Sequence, residues 1–559
     1  MLSEQIIQKL NIIKTKASAR VLSVFHISHI EFLKNSAIIF GYLNFRGETV
    51  RSKKALMNTA TSLLLQFVSV ICGFIVPRII IGTYGSEVNG LTASITQFLS
   101  YIALFEAGVG GVVRAAMYKP LANNDLTKLS GIVKATENFF RKIALIFVGY
   151  MLVLAGAFPV LVNKDFDWLF IAVLVIIIGI STFAQYYFGM TYTVLIYADQ
   201  KRYITSFLQI FTVILNAILV VVFANLGASI HWLKLGTAAV YILRPIVLNL
   251  YVKRKYQLDK IVKPDNEAIK QRWDGLGHHI AYFVNLNADV VILTLVSKIS
   301  SAFSIAEVSV YTVYHAVVYG IVNITSSFSA GMEAGFGNMI ANGEKENLNK
   351  KFALYEFIYY TVVTIVFTCA GILILPFIKV YTSGITDVNY IRPMFAYIIV
   401  LAYAAYAIRS PYNTLTLAAG HYKQTRNGAF VEAGINVVVS VICVFIWGIV
   451  GVAIGTLAAM VFRTVQYARY LSKNILKRSF MVFVKRVVVA ALISAVSIFL
   501  VSVLPEVAVV SYVTWVLFAV EATTVVVAVT LVFSLVFAKN ELFDTIKYVK
   551  TTFLKRKKK

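Results

Sequence analysis

Long apolar runs, each bounded by short polar or basic clusters, dominate the chain from about residue 55 to residue 537. An α-helix needs roughly 20 apolar residues to cross about 30 Å of hydrocarbon. Runs of that length predict spans near 56–82, 90–118, 136–162, 167–190, 203–225 and 232–252, then 276–297, 304–337, 352–378, 392–416, 427–446 and 449–471, and a last pair near 486–504 and 508–537. No alternating strand pattern competes with them. The expectation is an all-α polytopic membrane protein of about 14 transmembrane helices.

The polar segments order these spans. Residues 1–54 carry nine Lys or Arg, from Lys9 to Lys54, and Val21–Leu43 is interrupted by His26, His29, Glu31 and Lys34. The segment lacks a signal-peptide layout and reads as a basic cytoplasmic or interfacial extension. A basic linker follows the sixth span at 253–275, and a basic tail, 539–559, ends in Lys555-Arg556-Lys557-Lys558-Lys559. The divisions are thus 55–252 for a first lobe of six spans, 276–472 for a second, and 473–538 for two further spans. Taken alternately, the loops on one side hold nearly all the loop Lys and Arg. Those on the other hold Lys164, Lys234, Lys298, Lys379 and Arg392. Positive charge gathers on the cytoplasmic side, so both termini are expected in the cytoplasm.

Composition agrees with this picture. Of 559 residues 59% are hydrophobic and 14% charged, with a mean hydropathy of +0.77. The net charge of +26 is a topology signal and a match to anionic lipid rather than a nucleic-acid surface. Cys72, Cys369 and Cys443 all lie in apolar runs, so neither a disulfide framework nor a Cys/His metal site is expected. No phosphate-binding loop of the G-x-x-x-x-G-K-[ST] kind is present, and no cofactor is implied. Most of the aromatic residues are expected at lipid-facing or interfacial positions.

The two lobes repeat one another. Leu235-Gly236-Thr237-Ala238-Ala239 matches Ile454-Gly455-Thr456-Leu457-Ala458 at an offset of 219, which also pairs Arg244 with Arg463, Tyr251 with Tyr470 and Glu137 with Glu356. One residue of slip pairs Asn216 with Asn436 and Glu87-Val88 with Glu307-Val308. An even number of spans per copy gives both copies the same orientation. Parallel repeats about an axis along the membrane normal are a transporter arrangement, with the substrate between the halves.

Two stretches carry a family likeness. Phe74-Ile75-Val76-Pro77-Arg78-Ile79-Ile80-Ile81 followed by Tyr84-Gly85-Ser86-Glu87-Val88-Asn89-Gly90-Leu91 resembles the first hairpin of bacterial polysaccharide (O-antigen, capsule or exopolysaccharide) flippases of the MOP superfamily. Glu106-Ala107-Gly108-Val109-Gly110 and Tyr118-Lys119-Pro120-Leu121-Ala122 resemble their second span and the loop after it. The likeness covers roughly 55–540, with its sharp motifs within about 55–142. It implies a MATE-like fold and a flippase of undecaprenyl-diphosphate-linked oligosaccharide working by alternating access. Its partners would be the lipid-linked sugar, membrane lipid, polysaccharide-assembly proteins and a coupling ion, H⁺ or Na⁺.

Charges inside spans are the candidates for chemistry, since a charge at mid-membrane costs about 2.5–3.5 kcal/mol on insertion scales. Arg78, Arg114, Arg244, Arg409 and Arg463 interrupt apolar runs. A guanidinium stays charged and grips phosphate oxygens in a bidentate fork, so these five are expected to line a cavity for the diphosphate and sugar. Arg114 could instead snorkel toward Lys119. Glu106, Asp289 and His278, with its neighbour His279, are candidates for ion coupling; the alternative for either acid is a structural pair with an arginine. Two rival functions follow from the same residues. A small-cation exporter of the superfamily would want acidic cavity residues, and a membrane-embedded polymerase or ligase would need a large outside loop.

Overall fold

The computed structural model describes residues 50–106, 109–162, 166–259, 261–268, 270, 276–299, 303–327, 329, 332–505 and 508–554. Side chains at 50–53, 276–279, 282, 327, 334, 548–549 and 551–554 are likewise outside the described set. The extension expected at 1–54 lies almost wholly outside it. Two compact units result, Met1–Ala60 and Thr61–Lys559. Of the first, only the opening turns of a helix are described.

Among the described residues the fold is helical throughout. The first lobe comprises α1 (Val50–Tyr84), α2 (Ser86–Ser100, tightening to a 3₁₀ turn over Tyr101–Phe105), α3 (Val109–Asn123), α4 (Leu126–Leu161), α5 (Trp168–Ala184), α6 (Met190–Ala198), α7 (Arg202–Asn225) and α8 (Ile230–Lys255). A π turn, Gln185–Gly189, joins α5 to α6 as one span. The second lobe comprises α9 (Leu276–Ile299), α10 (Ala306–Ser327), α11 (Met332–Ala341), α12 (Lys345–Tyr381), α13 (Pro393–Ala418), α14 (Tyr422–Trp447) and α15 (Ile449–Asn474). Then come α16 (Met481–Val503), α17 (Tyr512–Phe537) and α18 (Lys539–Leu554). Among the described residues thirteen segments are long and apolar enough to cross a membrane, matching thirteen of the expected spans. The remaining one corresponds to α9, whose 24 residues rise about 36 Å. Side chains such as Phe67, Val153, Trp232, Phe445, Phe499 and Val536 stay exposed on these helices, as a lipid-facing girdle requires.

Two spans depart from the expected ranges. The run at 90–118 divides into α2 and α3, and the run at 304–337 into α10 and α11. Both divisions fall at corresponding points of the repeat, about 220 residues apart. Average hydropathy does not reveal them, although Glu106 and Gly108 at one and Ser326, Ser327 and Ser329 at the other interrupt the apolar runs. Discontinuous membrane helices are tolerated where they are buried in protein or line a cavity.

Within the first lobe α4 packs on α5 and α8 packs on both α5 and α7; within the second α14 and α13 pack on α15, and α9 on α14. The pair α16–α17 lies against α12. The lobes meet where α2 runs along its repeat counterpart α10. There Asn89 donates to Ser309 Oγ at 2.8 Å, and the two residues stand 220 apart, so the repeat axis passes close to this bond. Gly90 makes the approach possible, since a Cβ there would collide with the Ile305 carbonyl.

Candidate functional site: a chamber between the lobes

One end of the lobe interface is closed by a polar latch. The Ser86 backbone N–H and Oγ donate to the two carboxylate oxygens of Asp387 at 2.6 and 2.9 Å. The Tyr390 hydroxyl bridges Ser86 Oγ at 2.7 Å and Ser309 Oγ at 2.8 Å, while Tyr314 donates to the Tyr390 carbonyl at 2.7 Å. Burial raises the Tyr390 phenol above its ordinary value, which keeps it a neutral hydroxyl. Ser304 donates to Glu87, and Arg392 pairs with Glu307 at 2.6 Å. Tyr381 reaches the Phe74 carbonyl and Arg78 the Ser383 carbonyl, both at 2.7 Å. Among the described residues most polar groups at this end have a partner from another helix or loop, Glu307 Oε2 and Arg392 Nε being buried without one, and most of these bonds join the two lobes.

Behind the latch lies a cavity of about 390 Å³ walled by α1, α2, α8, α9, α10 and α12. Its polar surface comes from Asn89, Thr92, Thr96, Gln97, Ser100, Asn287 and Thr312. Gln97 bonds Asn287 across the lobes at 2.7 Å. Among the described residues the charged one in the lining is Lys234 of α8, and no carboxylate lines it. Lys234 was expected in an outside loop. It stands instead in the first turns of α8, and among the described residues it has no hydrogen bond or ion pair.

None of the five expected arginines lines this chamber. Arg78 lies at the latch and borders a separate cavity of about 670 Å³ with Ser511 and Tyr512. Arg114 of α3 turns back on its own helix, Nε donating to the Gly110 carbonyl at 3.0 Å. Arg409 and Arg463 are buried and share one carboxylate. Arg409 Nη1 reaches Glu432 Oε1 at 2.6 Å and Arg463 Nε reaches Oε2 at 3.4 Å. Asn285 also donates to Oε1 at 3.1 Å. Arg463 donates further to the Thr425 carbonyl and the Tyr467 hydroxyl, both at 2.9 Å, and the two guanidiniums sit over the Tyr406 and Tyr467 rings at 4.4 and 4.3 Å. A cavity role for these two was the expectation; a closed ion triad that knits α13, α14 and α15 together is the finding. Paired charges of this kind satisfy the membrane interior without any ligand.

Arg244 differs. It is half-buried on α8, donates to Thr212 Oγ1 at 3.1 Å and lies 5.6 Å from the Tyr241 ring centre. Its Nε is buried without a partner, and among the described residues no carboxylate pairs with it.

The acid candidates take different positions. Asp289 of α9 is buried and accepts from Tyr311 and Thr456, both at 2.7 Å; its second oxygen has no partner. Glu106 sits at the division between α2 and α3 and accepts from Tyr186 of the π turn at 3.0 Å. Neither pairs with an arginine among the described residues. The side chains of His278 and His279 lie outside the described residues, so the coupling candidate His278 has no structural account. Sequence reasoning passed over Glu432 and Lys234. Glu432 could have been found, since it interrupts the apolar run at 427–446 just as its arginines interrupt the runs on either side. No group of three or more His, Cys, Asp or Glu side chains suited to a metal occurs among the described residues.

No family model matches the chain, and no curated protein matches it. Solved structures do. The lipid II flippase MurJ in an inward closed conformation is similar over 87% of this chain and 100% of its own, with a TM-score of 0.67 at 14% identity. An inward-facing multidrug resistance MATE family transporter of the MOP superfamily covers 71% of this chain and 92% of its own, TM-score 0.54 at 15% identity. The eukaryotic MATE transporter AtDTX14 covers 85% and 98%, TM-score 0.52 at 12% identity. At such identities the likeness is one of fold, and the fold of this chain is the two-lobed, multi-spanning helical architecture those transporters share.

Proposed function

We propose that the protein is a flippase that carries a bulky, anionic, lipid-linked sugar, of the undecaprenyl-diphosphate oligosaccharide class, between the leaflets of the bacterial cytoplasmic membrane. The observation that carries this reading is the chamber between the lobes, with a lysine and, among the described residues, no carboxylate in its lining. A diphosphate entering a low-dielectric site needs fixed positive charge there. Amide and hydroxyl groups around it suit sugar hydroxyls. With both termini cytoplasmic, the latched end is the outer one, and the chamber is shut from outside. Alternating access requires that Ser86–Asp387 and its neighbours part while the opposite ends of the lobes approach.

Ion coupling falls to Asp289 in this reading, because a buried carboxylate oxygen without a donor is open to a proton or Na⁺. The pair α16–α17 borders a groove of about 230 Å³ with α12, which suits the polyprenyl tail. The likeness to MATE transporters keeps a small-cation exporter as the second reading, but the acid-free chamber disfavours it.

The test is deletion of the gene in its native host, followed by extraction of lipid from spheroplasts. Accumulation of complete diphosphate-linked repeat units inside, with surface polymer lost, is the expected result. Units that reach the outer leaflet yet stay unpolymerised would point to a polymerase. Sensitivity to cationic drugs without a lipid phenotype would point to the exporter.

A further inference from the structure

We propose that α8 carries two successive anion-binding stations, Lys234 in the chamber and Arg244 about 15 Å further along the helix. The second exists because the two repeats differ at one position, Thr212 against Glu432. The inference rests on the flippase reading and adds the residues along which the headgroup charge moves.

The repeat supplies the comparison. Arg244 corresponds to Arg463 at the offset of 219, and Thr212 corresponds to Glu432 at the offset of 220 that also pairs Asn216 with Asn436. The contacts correspond as well: Arg463 pairs with Glu432, and Arg244 donates to Thr212. In the second lobe the carboxylate neutralises the guanidinium and closes the site. In the first a hydroxyl takes its place, so the same guanidinium keeps its charge and a buried N–H without a partner. Lys234 corresponds to Ala453, which is fully buried and apolar. The second lobe is therefore neutralised or apolar where the first presents two cations on one helix.

An unpaired charge in a membrane helix is retained at a cost, and a ligand anion removes that cost. Ten residues separate the two cations. Tyr241, seven residues from Lys234, returns to nearly the same line of the helix, since seven steps of about 100° make about 700°. Beside Arg244, Pro245 packs on the π turn, where a Cβ on Gly189 would stand 2.7 Å from Pro245. A diphosphate entering from the basic, cytoplasmic end of α8, Lys253-Arg254-Lys255, thus meets Arg244 on its way to Lys234.

The experiment measures binding to the full-length chain in nanodiscs of neutral lipid, with farnesyl diphosphate as the probe. Inorganic pyrophosphate and the cationic dye rhodamine 6G serve as comparisons. Lys234→Gln and Arg244→Gln are each expected to weaken farnesyl diphosphate binding about tenfold or more, the loss of a charge-assisted contact. Thr212→Glu should weaken it as much as Arg244→Gln, by building in the first lobe the pair that silences Arg463. Thr212→Gln, of similar size and uncharged, should stay within about threefold of wild type, which separates charge from bulk. Full affinity in Thr212→Glu or Arg244→Gln, with loss confined to Lys234→Gln, would overturn the second station and leave the flippase reading standing. Equal affinity for pyrophosphate would keep both stations and overturn the lipid-linked ligand. Binding of rhodamine 6G alone, or of no probe, would overturn both.

Discussion

Glu432→Gln should be among the most destabilising single changes in the second lobe, and more so than loss of either arginine it binds. The wild-type carboxylate faces two guanidiniums at 2.6 and 3.4 Å and an amide at 3.1 Å, and arginines and acid alike are less than one-tenth exposed. Breaking a buried pair by removing one partner costs about 3–5 kcal/mol, because the other charge is left buried and uncompensated. Here two charges are left, which places the cost near 5 kcal/mol. Arg463→Met removes one charge of a triad whose net charge is positive and leaves the Arg409–Glu432 pair intact. Its cost is the lost hydrogen bonds to Thr425 and Tyr467 and packing, about 2–3 kcal/mol. Titration with SDS in mixed micelles, followed by tryptophan fluorescence, measures both. The expected gap of about 2 kcal/mol is more than tenfold in the unfolding equilibrium. Arg463→Met as costly as Glu432→Gln, or Glu432→Gln costing less than about 1 kcal/mol, would refute the triad as a charge-neutralising unit.

Further predictions test the lobe interface and the terminal helices. With Cys72, Cys369 and Cys443 replaced, Asn89→Cys with Ser309→Cys should form a disulfide across their 2.8 Å contact. Export should then stop and return on reduction; unchanged transport in the oxidised protein would contradict a latch that must open. Gly90→Ala should force α2 from α10 at the Ile305 carbonyl and cost about 1–3 kcal/mol. Gly149→Ala, with nothing within 4 Å, should be near neutral by the same SDS titration. Glu356 is fully buried and holds both Arg478 and Arg486; Glu356→Gln should loosen α16 from α12 and speed tryptic cleavage after Lys485 and Arg486. Unaltered cleavage would show that the clamp does not hold α16.

Much of this architecture was legible from the chain. Span positions follow from run length against bilayer thickness, and offsets of 219 and 220 pointed to parallel lobes; the Asn89–Ser309 contact between them came only from the structure. The site was less legible, for identifiable reasons. Arg409, Arg463 and Arg244 look alike in sequence, each a guanidinium in an apolar run; what separates them is Glu432 or Thr212 on a neighbouring helix, a tertiary fact that only the repeat alignment hints at. Lys234 stands near a helix end, where hydropathy cannot distinguish a loop lysine from one turned inward. The divisions in the second span of each lobe carry no Pro, and the Glu106 and Ser326, Ser327 and Ser329 that mark them are too few to lower the average hydropathy of either run.

The most direct measurement of the central claim is leaflet transfer in proteoliposomes that hold the purified protein and a fluorescent, sugar-bearing polyprenyl diphosphate. A membrane-impermeant quencher added outside reports the accessible fraction. The account predicts that wild-type protein makes nearly all of the lipid accessible over time while protein-free vesicles stay near half, and that Lys234→Gln removes most of that transfer while remaining folded. Transfer by Lys234→Gln at the wild-type rate, or none by the wild type in either direction of an imposed ion gradient, would contradict it.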